Sequence, residues 1–477
     1  MNGINADSFM LFGFLSMALL LGVFIRSQLK FFQKYMIPGS VIAGFITLII
    51  GPGLLNIVSI PTTSGEVDFL VFNLLSVIFI IIGLRGFDGE KDKKDKGEGT
   101  LKFTAAITSL LSFQLAAGML FALAVVLLIN PGLFRGFGSM LMLGHGFDPT
   151  MARFFGGFWE QEQGFTGGQS IAFAFSSFGF LMAYLLGLGY IIWTKKRGLI
   201  TPIPGEESAS VQTGILQTRK KKPAAGLLTT HNQSIETFSL HLAIIGLAVL
   251  LLYGLLKALA LVMIHNLSPG MIILTEIFTN FNYLFGLLMG LAFRRLLIWL
   301  KIDYIVNRDV LNRILGVAVD YMVVAAIASI PLVISLANMW ETLSFSLIGA
   351  GLTLLAVAIL MKKACLDDSI KKQVALYGFL TGNISSAVAL FRVLDPNLED
   401  PFIRNLTYAG GLSFIAALPL LFFMNIAVVG RVEHMAAAAG LAAIYGGGIF
   451  CAWYFLIFRR SCRKQPGNKA ESSHDQS

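Results

Sequence analysis

A series of uninterrupted apolar runs, each long enough to cross a lipid bilayer, limits the folds open to this chain more than any other feature of its sequence. Residues 8–25, 69–84 and 238–264 are clear examples. A helix needs about 20 apolar residues to cross the hydrocarbon core of a membrane. Charged residues make up 13% of the 477 residues, whereas a soluble domain carries roughly a quarter. The sequence therefore predicts an all-α polytopic membrane protein whose main partner is the lipid bilayer.

Several other classes of protein are disfavoured. The three cysteines (Cys365, Cys451 and Cys462) have no metal-ligand or CxxC spacing, so neither a disulfide framework nor a zinc site is expected. No signal peptide is expected, because the residues before the first apolar run include Asp7 but no Lys or Arg. The net charge of +9 is interpreted as basic cytoplasmic loops rather than as a nucleic-acid site.

Eleven membrane spans are predicted, together with two apolar stretches that Gly and polar residues interrupt. The spans lie near residues 8–25, 36–57, 68–84, 103–129, 169–193, 238–264, 270–293, 314–337, 343–361, 405–428 and 435–458. The interrupted stretches cover residues 138–160 and 374–391. If neither stretch crosses and the N-terminus is outside, all of the 36 Lys and Arg lie inside except Arg135, Arg153, Lys257 and Arg431. The positive-inside rule therefore predicts that both stretches are re-entrant hairpins.

The same order of elements then occurs twice in opposite orientation. The first half (1–194) has five spans and dips its hairpin from outside, and the second half (238–430) has five spans and dips its hairpin from inside. A cytoplasmic linker (195–237) joins them, and residues 431–477 add one C-terminal span and a cytoplasmic tail. Two inverted-topology repeats, each of five spans plus a re-entrant hairpin, are typical of secondary transporters.

The functional site is predicted where the two hairpins meet near the membrane midplane. The first hairpin contains Gly144, His145, Gly146, Asp148 and Thr150. The second contains Thr381, Gly382, Asn383, Ser385 and Ser386. Broken helices at this depth offer N-termini that bind carboxylates and free carbonyl groups that bind cations. Gly-rich polar turns also occur in ordinary loops, and the repeat is what favours a binding site here.

Two residues of the first hairpin have alternative interpretations. His145 is the only histidine in either hairpin and is either a hydrogen-bonded structural residue or a substrate contact. A metal-ligand role is disfavoured, because no second His, Cys or carboxylate lies at helical spacing from it. Asp148 is interpreted first as a cap of the following helix and second as a cation ligand.

Asp320 lies within an apolar run, where an ionised carboxylate costs at least a few kcal/mol unless it is paired or hydrated. It is predicted to coordinate a cation or to exchange protons, with a structural pair to Arg313 as the alternative. Asn73 and Ser76 lie on the corresponding span of the first half. These two neutral oxygen donors are predicted to serve the symmetric position in ion binding.

Arg392 follows the second hairpin directly. One interpretation is an interfacial arginine that pairs with Asp395. The other is a bidentate clamp on a carboxylate of the substrate, because the planar guanidinium matches a carboxylate with two parallel hydrogen bonds.

Several motifs resemble the glutamate:sodium symporter family. Residues 34–39 (Lys-Tyr-Met-Ile-Pro-Gly) resemble the start of that family's second span, and Gly144, His145 and Gly146 match its Gly-His-Gly turn. Residues 159–168 and 381–396 are similar to family segments before the fifth span and at the second hairpin. In this chain Phe147 follows the Gly-His-Gly turn, where the glutamate carriers have small residues.

The resemblance implies a secondary active transporter of the bacterial inner membrane, which carries out sodium-coupled symport of glutamate or a related small carboxylate. It further implies a homodimer, a mobile substrate-binding unit that slides against a fixed scaffold, and no cofactor other than Na⁺ as the coupling ion. From the residues alone, three alternatives stay open. They are a proton-coupled carrier or exchanger of another organic anion, an integral membrane transferase that uses His145 and Asp148, and a channel.

Overall fold

The fold was determined as a computed structural model of the chain. It describes residues 7–35, 37–51, 55, 64–85, 98–147, 149–200, 228–230, 234–266, 282–328, 330, 339–363, 369–396, 398, 400–429 and 432–454. These residues form helices and the turns that connect them, and no strand occurs in the described ranges. The prediction of an all-α fold is confirmed.

The helices follow the predicted spans closely. The longer helices of the first half are α1 (Asp7–Gln28), α2 (Gly39–Ile50), α3 (Ser64–Arg85), α4 (Glu98–Leu128), α5 (Pro149–Gln163) and α6 (Gly168–Lys196). Those of the second half are α7 (Thr237–Asn266), α8 (Asn282–Trp299), α9 (Arg308–Ala328), α10 (Met339–Lys363), α11 (Ser369–Thr381), α12 (Ile384–Arg392), α13 (Phe402–Ala416) and α14 (Leu418–Val429). Helix α15 (Val432–Trp453) corresponds to the predicted additional C-terminal span.

Seven helices among the described residues are long and apolar enough to cross a membrane. An eighth is reached when α13 and α14 count as one span bent by 45°. Pro419 in the first turn of α14 accounts for this bend, because proline cannot donate a backbone hydrogen bond. Predicted spans two and three correspond to shorter apolar helices, Gly39–Ile50 and Phe69–Arg85. The chain is therefore a multi-pass membrane protein, and the count of eleven spans stays a prediction.

Some predicted ranges extend beyond the described part of the chain. Span 36–57 corresponds to α2, and most residues between Gly51 and Ser64 lie outside the described ranges. Span 270–293 is described only from Asn282, and span 314–337 mainly up to Ala328. Most of the linker 195–237 and the tail after Tyr454 also lie outside them.

Three hydroxyl-bearing residues in the apolar helix α4 bond to the helix itself. The hydroxyl groups of Thr104, Thr108 and Ser112 donate to the backbone carbonyl groups one turn earlier, at 2.8–2.9 Å. A hydroxyl satisfied in this way needs no partner from water, which is absent from the hydrocarbon core. These three hydroxyl groups of α4 are thus compatible with a membrane span.

The first interrupted stretch folds back inside the bundle. It consists of a 3-10 turn (Phe137–Ser139), a π-helical segment (Met142–Phe147) and α5. The rings of Phe134 and Phe165, which lie at its entry and exit, stack with their centroids 4.1 Å apart. The chain therefore enters and leaves this stretch at the same place.

The second interrupted stretch is a hairpin of two short helices, α11 and α12. A Cβ atom added at Gly378 of α11 would lie 3.1 Å from the Cα atom of Ala387 of α12, so the chain reverses between them. The turn is at Gly382 and Asn383. At 1.5 Å per residue the two helices are about 20 and 14 Å long, and neither is long enough to cross a core of roughly 30 Å.

The helices pack in two groups. In the first group α3 packs against α8 and α9, α2 packs against α1 and α9, and α7 packs against α8. In the second group the two hairpins pack among α4, α6 and α10, with α13 and α15 against α4. Small residues bring helices together: a Cβ atom at Gly290 of α8 would lie 2.2 Å from the carbonyl oxygen of Ile80 of α3.

Candidate functional site

The tips of the two hairpins meet at one glycine of α6. A Cβ atom added at Gly179 would lie 2.5 Å from the carbonyl oxygen of Thr381 and 2.8 Å from Cδ2 of His145. Contacts this short require glycine, because a real Cβ atom would displace the backbone of the second hairpin. The π-helical segment that carries His145 also packs directly against α11. Gly179 is thus the point at which the two interrupted segments converge.

Gln114 of α4 connects the two tips from the other side. Its side chain is 1% exposed, and its Nε2 donates to the carbonyl oxygen of Leu380 at 2.8 Å and to Oγ1 of Thr353 at 3.1 Å. Leu380 lies in the last turn of α11, where carbonyl groups lack a partner within the helix. A Cβ atom at Gly146 would lie 2.3 Å from Oε1 of Gln114. Gln114 therefore caps the second hairpin while it touches the first.

Gln114 is not among the site residues predicted from the sequence. The available signal was a lone amide within the apolar run 105–128, which favours a specific partner inside the bundle. Its partners are hundreds of positions away along the chain, and only the packed structure brings them together.

Asn383 forms the N-cap of α12. Its Oδ1 accepts hydrogen bonds from the backbone N–H groups of Ser385 and Ser386 at 2.9 and 3.1 Å, and also from the hydroxyl group of Ser385. Asparagine is among the preferred N-cap residues, since its side chain satisfies N–H groups that have no partner within the helix. The cap fixes the direction in which α12 leaves the hairpin turn, and it places Asn383 at the hairpin tip.

Buried polar atoms without a hydrogen-bond partner gather at the hairpin tips. Among the described residues they include both ring nitrogens of His145 and Oε1 of Gln114, and the buried hydroxyl groups of Tyr184 and Ser386 lie beside each other there. Others, such as Ser109 and Ser346, are distributed over the bundle. Each buried unpaired group costs about 1–3 kcal/mol, and native proteins contain few of them. This concentration favours a site that binds a polar ligand.

A cavity of about 110 Å³ lies between the hairpin tips and helices α3, α8 and α13. The first hairpin contributes Gly146, Phe147 and Met151, and the second contributes Phe379, Asn383 and Ile384. The other described residues of its wall are Phe72, Leu75, Ile107, Leu111, Tyr283, Gly410, Ser413 and Phe414. No charged side chain occurs in this described lining. A ligand here would meet apolar walls with a few polar groups, as in most small-molecule sites.

Asp320 and Arg392 bind each other outside this cavity. Nη1 of Arg392 lies 2.7 Å from Oδ1 of Asp320, and Nη2 lies 3.3 Å from Oδ2. The pair forms because α12 packs against α9, which brings Arg392 close to Gly316. Asp320 thus has Arg392 as its partner, and Arg313 is exposed. The predicted roles of Asp320 in ion binding and of Arg392 in substrate binding stay predictions.

Two of the remaining predicted ion ligands, Asn73 and Ser76, are not part of the described cavity lining. Oδ1 of Asn73 accepts a hydrogen bond of 2.7 Å from the hydroxyl group of Tyr253 of α7. The buried hydroxyl group of Ser76 donates to the carbonyl oxygen of Phe72 at 3.3 Å. Asp148 lies outside the described residues, and Thr150 is described only as part of α5. Within the described ranges no cluster of three His, Cys, Asp or Glu is placed to hold a metal ion.

Comparison with known proteins gives one match. Residues 4–365, more than half of the chain, match a family model described as sodium/glutamate symporter. No curated protein and no solved structure matches the chain. The matched range includes the first hairpin and Asp320, and it ends before the second hairpin begins.

Proposed function

The chain belongs to the sodium/glutamate symporter family, and on that premise we propose that it couples the inward movement of Na⁺ to the uptake of glutamate or a related small carboxylate. The family consists of transporters, so the alternative of a membrane transferase is set aside. One observation carries the proposal: the two interrupted segments meet at Gly179, beside the buried hydroxyl group of Ser386 and the buried ring of His145, which has no hydrogen-bond partner in the described part of the chain.

The substrate carboxylate is assigned to the tips of the hairpins. The N-terminus of α12 carries partial positive charge and opens at Asn383 in the cavity wall. The ring of His145, which has no hydrogen-bond partner among the described residues, and the hydroxyl group of Ser386, which lies beside that of Tyr184, add further donors. The proposed substrate site comprises Gly144, His145, Gly146, Thr150, Thr381, Gly382, Asn383, Ser385 and Ser386, with Arg392 as a further candidate.

The coupling ion requires oxygen ligands. The last carbonyl groups of α11 lack partners within their helix and form a negative end, which suits a cation at a broken helix. Asp320, Asn73, Ser76 and Asp148 are proposed as further ion ligands. Since Asp320 binds Arg392 at 2.7 Å in this structure, ion binding to its carboxylate requires that this pair opens.

The packing of the helices supports an inverted repeat. The third helix of the first half, α3, packs against α8, the second helix of the other half. Reciprocally, α9 packs against α2. A two-fold axis in the membrane plane would produce such an exchange of partners, and it is the relation proposed for halves 1–194 and 238–430. Alternating access then proceeds by movement of one group of helices against the other.

The proposal also covers the membrane, the orientation and the oligomeric state of the carrier. The basic loops favour a bacterial inner membrane, with the N-terminus outside and the C-terminus in the cytoplasm. Membership of the family supports a homodimer. A proton-coupled carrier or exchanger of another organic anion is the second candidate, and it is favoured by the titratable ring of His145, whose two nitrogens have no hydrogen-bond partner among the described residues.

Uptake into proteoliposomes tests the proposal. We expect an inward Na⁺ gradient to drive accumulation of labelled glutamate, and a matched K⁺ gradient to drive none. His145→Ala should abolish uptake, whereas His434→Ala in the exposed face of α15 should retain it. Uptake that follows a pH gradient without Na⁺ would replace this proposal with the proton-coupled alternative, and no gradient-driven uptake of any organic acid would refute both.

A further inference from the structure

A second cavity lies at the end of the bundle where α3 ends and α9 begins. Its volume is about 200 Å³, and its wall includes Arg85, Arg294, Arg308 and Asp303 beside apolar residues of α8 and α9. Arg85 is ten positions along α3 from Leu75 in the wall of the first cavity, which is about 15 Å at 1.5 Å per residue. The proposed transport mechanism makes no use of this cavity.

Arg294 of this cavity is held by the end of α3. Nη1 of Arg294 donates to the carbonyl oxygen of Leu84 at 3.2 Å and also to that of Arg85. These carbonyl groups belong to the last turn of α3, which carries partial negative charge. The Nε and Nη2 groups of Arg294 make no hydrogen bond within the described part of the chain. The orientation of its guanidinium is therefore fixed while donors are left for a ligand.

Arg85 supplies a second charge in a rigid position. Its side chain is 2% exposed, and it donates to Oδ1 of Asn312 at 2.7 Å and to the carbonyl oxygen of Leu398 at 2.5 Å. Arg308 in the first turn of α9 supplies the third guanidinium. Three cationic groups around one small cavity create a local positive potential that attracts anions.

Asp303 is the acidic residue of the cavity wall. It lies in the 3-10 turn between α8 and α9 and forms no ion pair in the described ranges, although three arginines share its cavity. A free carboxylate next to an arginine cluster suits a ligand that carries a cationic group close to an anionic one.

The rim of the cavity has the features of a membrane interface. Trp299 is 78% exposed at the end of α8, and Tyr304 is 72% exposed in the turn that carries Asp303. Ile298 of the wall is half-exposed. Tryptophan and tyrosine are enriched at the level of the lipid headgroups. The cavity therefore opens at the depth where headgroups lie, on the side that the basic loops assign to the cytoplasm.

We propose that this cavity binds the headgroup of an aminophospholipid, with its phosphate on Arg294 and Arg308 and its ammonium on Asp303. Guanidinium groups bind phosphate through charge-assisted bidentate hydrogen bonds. Basic pockets between membrane helices on the cytoplasmic side are sites for lipid headgroups. A phosphate ion from solution shares part of this chemistry, but it would leave the apolar and aromatic rim without a role.

Native mass spectrometry of the purified full-length protein, titrated with lipids, tests the inference. We expect phosphatidylethanolamine to bind more tightly than phosphatidylglycerol, and Arg294→Gln to raise its apparent Kd about ten-fold, a loss of roughly 1.4 kcal/mol. The matched control is Arg295→Gln, which changes the neighbouring exposed arginine outside the cavity and should leave the Kd unchanged. Asp303→Asn should remove the preference for phosphatidylethanolamine and retain the binding of phosphatidylglycerol.

Three results would overturn the inference. One is an equal Kd for the Arg294→Gln and Arg295→Gln proteins, and another is an unchanged lipid preference in Asp303→Asn. The third is displacement of the bound lipid by millimolar inorganic phosphate, which would identify a soluble anion as the ligand. If Arg294→Gln does not fold, Arg308→Gln takes its place, because that change keeps the bonds between Arg294 and the end of α3.

Discussion

Arg392 joins the end of the second hairpin to the middle of α9 through a bidentate ion pair with Asp320. The two contacts measure 2.7 and 3.3 Å, and the side chains are 16% and 33% exposed. Both residues are sequence-based candidates for the site, and in this structure they bind each other, with Arg26 also near enough to interact with the charge of Asp320. The pair also bridges the two groups of helices, because α9 belongs to one group and α12 to the other.

Removing the charge of one partner of this pair should lower the free energy of unfolding. Asp320→Asn leaves a half-buried guanidinium without its carboxylate, and we expect a loss of about 1–3 kcal/mol, below the value for a fully buried pair. The double variant Asp320→Asn/Arg392→Gln removes both charges and should be more stable than the sum of the single effects predicts. Denaturant unfolding of the wild type, Asp320→Asn, Arg392→Gln and the double variant measures the coupling energy. Strictly additive losses would show that the pair contributes nothing to the free energy of unfolding.

Gly179→Ala should abolish transport while the protein still folds. The added methyl group would lie 2.5 Å from the carbonyl oxygen of Thr381 and would push the second hairpin away from the first. Gly189→Ala is a matched control on the same helix, because a Cβ atom there has no neighbour within 4 Å. Sodium-driven uptake by the two variants checks this, and normal uptake by Gly179→Ala would contradict the convergence of the tips.

Gln114→Leu should weaken substrate binding. The change removes the hydrogen bonds to Leu380 and Thr353 and leaves the Leu380 carbonyl group without a partner, which costs about 1–3 kcal/mol. We expect KM to rise about ten-fold or more, since the tip of the second hairpin loses its position. Gln169→Leu, on the exposed first turn of α6, is the control. An unchanged KM in Gln114→Leu would exclude the positioning role.

Two substitutions of Asn383 should show separately its role in helix capping and its role in anion binding. Asn383→Asp retains an acceptor for the N–H groups of Ser385 and Ser386, so stability should be preserved. Its negative charge, however, repels a substrate carboxylate, and KM should rise. Asn383→Ala removes the cap and should lower stability by about 1 kcal/mol. If Asn383→Asp takes up substrate with an unchanged KM, the carboxylate does not bind at this helix end.

The all-helical membrane fold was predictable from the sequence because membrane spans depend on local properties. The length of an apolar run and the positions of basic loops decide where helices cross, and α1, α4, α6 and α7 lie close to the predicted ranges. The two interrupted stretches were also found, because Gly and polar residues break their apolar pattern. Each of these signals lies within about 30 residues of sequence.

The contacts of the site were less predictable because they join distant parts of the chain. Arg392 and Asp320 are 72 positions apart, and the sequence offered nearer partners, Asp395 and Arg313, for them. The cavity walls from α3, α8 and α13 carry mostly apolar residues, whose type does not show whether they face lipid or a cavity. The capping role of Gln114 depends on the turn of another helix. Such pairings are set by tertiary packing, which a single sequence does not specify.

A comparison of Ser386 with Ser109 tests whether the hairpin tips form the binding site. The hydroxyl groups of Ser386 and Ser109 are both buried, and neither makes a hydrogen bond of ordinary geometry among the described residues, but only Ser386, beside Tyr184, lies at a hairpin tip. Replacing either with alanine removes an unpaired polar group, so neither variant should lose stability. Isothermal titration calorimetry of glutamate in the presence and absence of Na⁺ then tests the central claim directly. The account predicts Na⁺-dependent binding that Ser386→Ala weakens about ten-fold and Ser109→Ala leaves unchanged, whereas equal binding by both variants, or binding that ignores Na⁺, would contradict it.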